Sequence, residues 1–189
     1  MLNLRYIVRC HPRRQEFVNY LMERLPATTL YSSDDYGRGH RPNFLNALSL
    51  AGNAPALHFE DDILLAANFL ERVHAAIALQ PDRVIQFFSM RKADLEIGSR
   101  WEPGRTFMMT QCFYLPAGYS TLLLAHYPHW KDADKHVSAV DIFTADFLKS
   151  RKEKYWIHVP SLVQHRQTVS IIDKRRSQFR QSLTFEGEQ

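Results

Sequence analysis

The segment Ala56-Leu-His-Phe-Glu-Asp-Asp-Ile-Leu-Leu65 predicts a buried strand that ends in a cluster of acids. Residues 57–59 form a short apolar run, which is typical of a strand inside a sheet. Three carboxylates, Glu60, Asp61 and Asp62, follow directly, and their repulsion and desolvation would be costly without a cation. Oxygen ligands of this kind suit Mg²⁺ or Mn²⁺, so we expect a divalent cation here. The alternative is a solvated turn whose acids favour the start of the next helix.

Strands and helices alternate along the rest of the chain. Apolar runs predict further strands at residues 4–8, 27–31, 84–89, 107–115 and 155–159. Apolar residues at helical spacing predict helices at residues 13–25, 42–51, 69–80, 116–125 and 140–149. We expect Asn68 to cap the third helix. The alternation predicts an α/β fold, a single Rossmann-like domain over residues 1–185 with a central mixed, mostly parallel sheet flanked by helices. Residues 186–189 are expected to form a mobile tail.

The linker at residues 90–106 is charged and contains Pro103, which predicts a long loop over the site. In the helix at 140–149, Ile142 and Phe143 are expected to face the core. In α/β sheets ligands bind beyond the carboxyl ends of the strands, where the acids are predicted to lie.

Composition narrows the class of protein. The chain has 189 residues, which is enough for one domain with a real core, and no stretch approaches the roughly 20 apolar residues of a membrane span. Its two cysteines, Cys10 and Cys112, form neither a metal-like spacing nor a disulfide framework, and the start lacks a signal-peptide pattern. We therefore expect a cytoplasmic protein. The net charge of +4 is compatible with an anionic substrate and is not diagnostic of nucleic acid.

Basic residues crowd the junction between the first strand and the first helix. Arg9, His11, Arg13 and Arg14 lie there, beside the free backbone N–H groups of a helix start. This combination suits an anion such as a nucleotide. The alternative is a solvated basic helix start.

Other candidate donor-binding residues lie in polar segments. Asp34 and Asp35 follow the second strand, where they suit hydrogen bonds to a ribose or a base, or capping of a turn. Arg41 precedes the second helix and is placed to pair with a phosphate. Arg175 or Arg176, in the basic tail, is expected to cover phosphates.

Further motifs give the chain a resemblance to a known family. After the acids come the segments Cys112-Phe-Tyr-Leu-Pro-Ala-Gly-Tyr119, Val140-Asp-Ile-Phe143 and Val159-Pro-Ser-Leu-Val-Gln-His165, followed by Ser170. In order and spacing, over nearly the whole chain, the protein resembles nucleotide-sugar-dependent glycosyltransferases of the GT-A fold. It is similar in this way to galactosyltransferases that act on lipooligosaccharide and collagen, and more loosely to N-acetylglucosaminyltransferases.

The resemblance implies roles for individual residues. Glu60 and Asp62 take the places of the family's metal-binding Asp-x-Asp pair, which holds Mn²⁺ or Mg²⁺ against the donor diphosphate, and Asp61 is assigned to donor binding. His165 takes the place of a later histidine that completes the coordination, although a lone histidine after a strand is also often structural. Asp141 stands where relatives have an acid near the acceptor, and is the candidate base. The donor implied is a nucleoside-diphosphate sugar, in the first instance a UDP-sugar.

The chemistry is coherent without the family. A divalent cation neutralises a diphosphate leaving group as a Lewis acid, and a carboxylate near the acceptor hydroxyl can take its proton. Two departures from the family stand out: the chain is short, and its N-terminal region matches no donor-binding motif.

Several alternatives stay open. Carboxylates at strand ends also bind metals in nucleases and nucleotidyltransferases. The basic segment 174–180 also suits a non-catalytic nucleic-acid-binding module, although buried acids beside the binding face would oppose a phosphate backbone.

The acceptor is expected to be either of two kinds. One is a hydroxymethylated pyrimidine base in phage DNA, modified in the cytoplasm of a bacterial host, which must be flipped out of the stack or reached in the groove. Trp101, Phe107 and Tyr119 are candidates to stack on such a base, or to pack in the core. The other acceptor is a bacterial surface glycan or lipooligosaccharide.

Overall fold

The computed structural model describes residues 3–34, 37, 39–136, 138–171 and 180–187. The strands are β1 Arg5–Cys10, β2 Leu30–Ser33, β3 Ala56–Glu60, β4 Ile63–Leu65, β5 Ile85–Gln86, β6 Arg100–Pro103, β7 Cys112–Leu115, β8 Lys154–Ile157 and β9 Val163–His165. The α-helices are α1 Gln15–Met22, α2 His40–Ala51, α3 Phe69–Leu79, α4 Asp94–Ile97, α5 Tyr119–His126 and α6 Val140–Ser150. Short 3-10 turns lie at Pro12–Arg14, Gly104–Thr106 and Tyr127–His129.

Seven of the described strands form one mixed sheet in the order β2-β1-β3-β7-β5-β8-β6. β1 runs parallel to both β2 and β3, and β5 runs parallel to β8. β7 is antiparallel to both β3 and β5, and β6 is antiparallel to β8. β1, β2, β3, β5 and β8 therefore point in one direction, and the predicted α/β fold with a mixed, mostly parallel sheet is confirmed. None of the described helices is long and apolar enough to cross a membrane.

β3 is buried on both faces because helices cover each side of the sheet. Leu57 and Phe59 belong to a core cluster that includes Leu21 of α1 and Val73 of α3. His58 points to the other face, where its ring stacks on Phe113 at 5.2 Å between centroids. The alternation follows from the two-residue period of a strand. The acids predicted to follow a buried strand lie at the carboxyl end of this one.

A second, two-stranded sheet brings the C-terminal part of the chain back to the acids. β9 pairs antiparallel with β4, and His165 lies opposite Ile63 in the register. The backbone N–H of Arg166 donates to the carbonyl of Asp62 at 2.8 Å. The sequence predicted neither strand, since each has three residues and no repeat long enough to show a period.

The prediction of a long irregular loop at residues 90–106 is wrong. This segment forms α4 and the edge strand β6, which adds to the sheet beside β8. The Arg100 guanidinium lies 2.9 Å from a carboxylate oxygen of Asp94 and 2.7 Å from one of Glu102. Asp94 is buried, and the ion pair with Arg100 compensates its negative charge.

Three local predictions need correction. Asn68 stands at the N-cap position of α3 in a left-handed conformation (φ 53°), and its side chain makes no capping hydrogen bond. Ile142 is 41% exposed, whereas Phe143 is buried as predicted. The strands at 84–89 and 107–115 are shorter than predicted, because residues before β7 are held by side chains: the Gln86 carboxamide donates to the carbonyl of Met109 at 3.2 Å.

Candidate functional site

A cavity of about 110 Å³ opens at the carboxyl ends of β1 and β3. Ligands of α/β sheets bind at this position, beyond the ends of parallel strands. The predicted site residues that line it are Arg9, His11, Asp34, Glu60, Asp61, Asp62 and Asp141. The sheet therefore gathers residues from four separate parts of the chain.

Glu60, the last residue of β3, is held by three partners inside the protein. Thr110 Oγ1 donates to Glu60 Oε1 at 2.7 Å, and Arg9 Nη2 donates to the same oxygen at 3.4 Å. His40 Nε2 lies 3.8 Å away from it. Burial by itself would raise the pKa of Glu60, but the nearby His40, the charge of Arg9 and the hydrogen bond from Thr110 hold it below its usual range. The carboxylate stays ionised and faces Arg9, whose side chain is only 2% exposed.

Arg14 bridges the other two acids. Its Nη1 lies 2.9 Å from Asp61 Oδ1 and 2.6 Å from Asp62 Oδ2. Asp61 also accepts from the backbone N–H of His11 at 2.8 Å, at the start of the Pro12–Arg14 turn. Burial raises the pKa of Asp61, and Arg14 only partly offsets it. The predicted basic junction thus supplies the counter-ion for the predicted acids.

Asp62 meets His165 although a hundred positions separate them. Asp62 Oδ2 lies 3.3 Å from His165 Nε2, and both side chains are almost fully buried. Burial would raise the pKa of Asp62, but the hydrogen bond to His165 keeps it below its usual range. The pairing of β4 with β9 produces this contact, since it sets His165 opposite the residue that follows Asp62.

The donors at the end of β3 are of the chemical kind that Mn²⁺ or Mg²⁺ accepts. Asp62 Oδ1 is buried and has no hydrogen-bond partner among the described residues, so one acceptor is left over for a ligand. Within the described part of the chain, no three histidine, cysteine or acidic side chains converge as a metal-binding group. Asp62 and His165 lie in contact and carry donor atoms of a suitable kind, whereas Glu60 is turned to Arg9 and Thr110, so the metal roles of all three residues stay predictions.

Asp141, the candidate base, lies in the first turn of α6 and lines the cavity. Its Oδ2 accepts from the backbone N–H of Met109 at 3.4 Å, a long hydrogen bond. Met109 is in a left-handed conformation (φ 72°), which is uncommon for a residue with a side chain. The contact ties the helix start to the segment before β7. Among the described residues, the second oxygen of Asp141 accepts from the backbone N–H of its own neighbour, Ile142, at 3.0 Å.

The remaining predicted donor-binding residues divide into three groups. Asp34 lines the cavity, and its carboxylate accepts from the backbone N–H of Gly39 at 3.0 Å. This hydrogen bond matches the predicted alternative in which Asp34 caps a turn. Arg13 is exposed and does not line the cavity. Arg41 donates to the carbonyl of Ala133 instead of facing the cavity, because that turn offers an acceptor. Asp35, Arg175 and Arg176 lie outside the described residues.

The aromatic residues expected to stack on an acceptor base do not line the cavity. Phe107 is in the core, with its ring centroid 5.1 Å from that of Tyr155. Trp101 packs edge-on against Trp156 on the outer strands of the sheet. Tyr119 donates its hydroxyl proton to Glu153 at 2.8 Å. These three assignments are therefore corrected to packing roles.

Sequence reasoning missed several residues of the cavity. His40, Thr110, Gln111 and Arg180 all line it. Arg180 Nη2 lies 2.8 Å from His165 Nε2. The C-terminal segment therefore adds a positively charged guanidinium to the lining of the acidic cavity. None of the four stands in a local motif, and only the tertiary fold brings them to the acidic strand end.

Fold and cavity together define an α/β protein with a buried, acidic and arginine-rich pocket at its strand ends. No protein-family model and no curated protein matches this chain.

Proposed function

We propose that the protein is a glycosyltransferase, which moves a sugar from a nucleoside-diphosphate sugar to an acceptor hydroxyl. The observation that carries the proposal is the cavity at the carboxyl ends of β1 and β3, where five acids and three arginines meet. Such a pocket can hold a ligand that is both anionic and rich in hydroxyl groups. A UDP-sugar, the donor implied by the family resemblance, has this chemistry.

Arginines of the cavity are suited to the diphosphate. Arg14 and Arg180 both line it, and a guanidinium presents paired donors that match phosphate oxygens. Arg9 is less available, because it donates to Glu60 and, at 2.5 Å, to the carbonyl of Thr110. We therefore assign Arg14 and Arg180 to the phosphates and Arg9 to the support of Glu60.

A divalent cation, when bound, would supply Lewis-acid neutralisation of the leaving diphosphate. Asp62, which lines the cavity, and His165, which contacts Asp62 but does not itself line the cavity, are the residues that would hold it, since Asp62 Oδ1 has no hydrogen-bond partner among the described residues. Asp62 keeps its negative charge because its pKa is held low.

Asp141 is the proposed base of an inverting transfer. The acceptor oxygen forms a bond to the anomeric carbon while the bond from that carbon to the diphosphate breaks. The acceptor proton goes to Asp141, and the leaving diphosphate keeps the electron pair. The carboxylate is suitably placed for this role because it lines the same cavity as the acids of β3.

The acceptor proposals are a hydroxymethylated pyrimidine in DNA and a bacterial surface glycan. Beside the candidate base the protein exposes two apolar side chains, Met108 at 44% and Ile142 at 41%. Apolar surface next to a catalytic carboxylate suits the flat face of a pyrimidine ring or of a pyranose. The apolar surface is compatible with a DNA acceptor and with a glycan acceptor alike.

The test is a screen of nucleoside-diphosphate sugars with Mn²⁺, followed by nucleotide release and mass spectrometry of two acceptors. The acceptors are an oligonucleotide containing 5-hydroxymethylpyrimidines and a lipooligosaccharide. We expect a mass gain of one hexose on one of them, abolished by Asp62→Asn with little change in melting temperature. Asp82→Asn, at an exposed position before β5, is the matched control and should keep full activity.

Other outcomes of the screen would replace the proposal. Cleavage of DNA, or nucleotide transfer without sugar transfer, would assign the acids to a nuclease or nucleotidyltransferase. Near-normal turnover of Asp62→Asn in Mn²⁺ would remove the metal assignment.

A further inference from the structure

Gln111 is a buried polar residue whose side-chain oxygen has no hydrogen-bond partner in the part of the chain that the structure describes. It is 1% exposed and lines the cavity. Buried carboxamides are almost always hydrogen-bonded, so an unpaired one beside a cavity calls for an explanation. A bound ligand that donates a hydrogen bond would satisfy it.

The backbone around Gln111 is rigid. The N–H of Glu60 donates to the carbonyl of Gln111 at 3.0 Å, and Thr110, its neighbour, is held by Arg9 and Glu60. The next residue, Cys112, begins β7. The carboxamide is therefore presented from a fixed position beside the acids, as a residue that selects a ligand must be.

A second unpaired atom, on another residue that lines the cavity, indicates what the ligand offers. Arg9 Nε is a buried donor without a partner among the residues that the structure describes, whereas Gln111 Oε1 is an acceptor. A ligand that satisfies both kinds of atom must both accept and donate hydrogen bonds. Hydroxyl groups do both, whereas phosphate oxygens at neutral pH chiefly accept.

We propose that the Gln111 carboxamide binds a hydroxyl group of the donor sugar and thereby sets which sugar the protein accepts. This inference rests on the proposed function, because it assigns the sugar part of the same donor. Gln111 is a specificity residue here, and the proton transfer stays with Asp141.

The experiment compares the binding of UDP, UDP-glucose, UDP-galactose and UDP-N-acetylglucosamine by calorimetry, with Mn²⁺ present. Wild type should bind one UDP-sugar more tightly than UDP. In Gln111→Leu this preference should fall about five- to tenfold, the loss of one neutral hydrogen bond, while the affinity for UDP stays unchanged. Gln80→Leu, at the far end of α3, makes the same chemical change outside the cavity and should keep the preference.

The melting temperature of the ligand-free protein separates a binding role from a structural one. Leucine removes an unpaired buried amide, so Gln111→Leu should melt at the wild-type temperature or above it. A lower melting temperature together with an unchanged preference among sugars would overturn the inference and make Gln111 a packing residue. If wild type binds none of the nucleotides, the proposed function fails and the inference fails with it. If wild type binds a UDP-sugar and the variant binds it equally well, only the inference fails.

Discussion

Acid should destabilise this protein through His58, well before its carboxylates are protonated. The His58 side chain is fully buried in β3, and neither ring nitrogen has a hydrogen-bond partner among the described residues. Burial, with a contribution from the charge of Arg9, lowers the pKa of His58 to about 3. The unfolded chain takes up a proton near the ordinary value of about 6.5, whereas the folded protein does not take it up until about pH 3. Well above pH 6.5, His58 therefore costs the folded state no stability. As the pH falls through 6.5 toward 3, the free energy of unfolding decreases.

The size of the effect follows from proton linkage. Well between the unfolded and folded pKa values each pH unit costs about 1.4 kcal/mol. Since His58 in the unfolded chain is already half protonated at pH 6.5, the loss of about 2.7 kcal/mol builds up over the fall from pH 7.5 to 4.5. Above pH 4.5 the lowered pKa values of Glu60 and Asp62 contribute little to this loss, because carboxylates in the unfolded chain are still ionised there. His158, whose pKa burial also lowers, adds a slope that is the same in wild type and in a His58 variant.

The measurement is the free energy of unfolding in urea at half-unit steps from pH 7.5 to 4.5, for wild type, His58→Leu and His129→Leu. His129 is exposed, so its replacement by leucine is the matched control and should leave the slope unchanged. His58→Leu should flatten the pH dependence by about 2.7 kcal/mol between pH 7.5 and 4.5. An unchanged slope in His58→Leu would refute the reasoning and mean that the ring is protonated, or reaches water, in the folded protein.

Two further substitutions test the network around the acids. Arg9→Met should lower the free energy of unfolding by about 3–5 kcal/mol, because Glu60 would be left as a buried charge with less compensation. Arg13→Met, at an exposed position, should change it by less than about 0.5 kcal/mol in the same urea titration, and equal effects of the two would contradict the ion-pair assignment. His165→Ala should weaken Mn²⁺ binding measured by calorimetry with UDP present and leave the fold intact by circular dichroism. Unchanged Mn²⁺ affinity would remove His165 from the proposed metal site.

Local patterns were enough to predict the α/β class and the place of the acids. The apolar run at 57–59 gives a strand because its residues have no polar side chain to satisfy except that of His58, and the carboxylates must then lie at its end. The contact of Asp62 with His165 was expected only from the family resemblance, because no local rule joins residues a hundred positions apart. The metal role of that contact stays a prediction.

What the sequence did not predict depends on long-range pairing. β4 and β9 are each too short to show a two-residue period in the sequence. The strand that carries His165 to the acids can therefore be recognised only from its pairing in the structure. β6 forms an edge strand in a segment whose charges resemble a loop, and the partners that neutralise those charges, such as Asp94 for Arg100, are fixed only by the fold. No sequence pattern marks Gln111 as a site residue, since an unpaired buried carboxamide oxygen can be recognised only when the burial of the side chain is known.

The way in which the acids are neutralised has a consequence for the proposed chemistry. In the structure, Arg14 compensates Asp61 and Asp62, and Arg9 compensates Glu60, so the carboxylates are paired through arginines of the chain. A diphosphate that draws Arg14 to itself would weaken this pairing and leave the negative charge of Asp62 less compensated. The electrostatic attraction of Asp62 for a divalent cation would therefore be stronger when the nucleotide is bound. If Arg14 serves both partners in this way, nucleotide and cation bind cooperatively, since each relieves the electrostatic cost of the other.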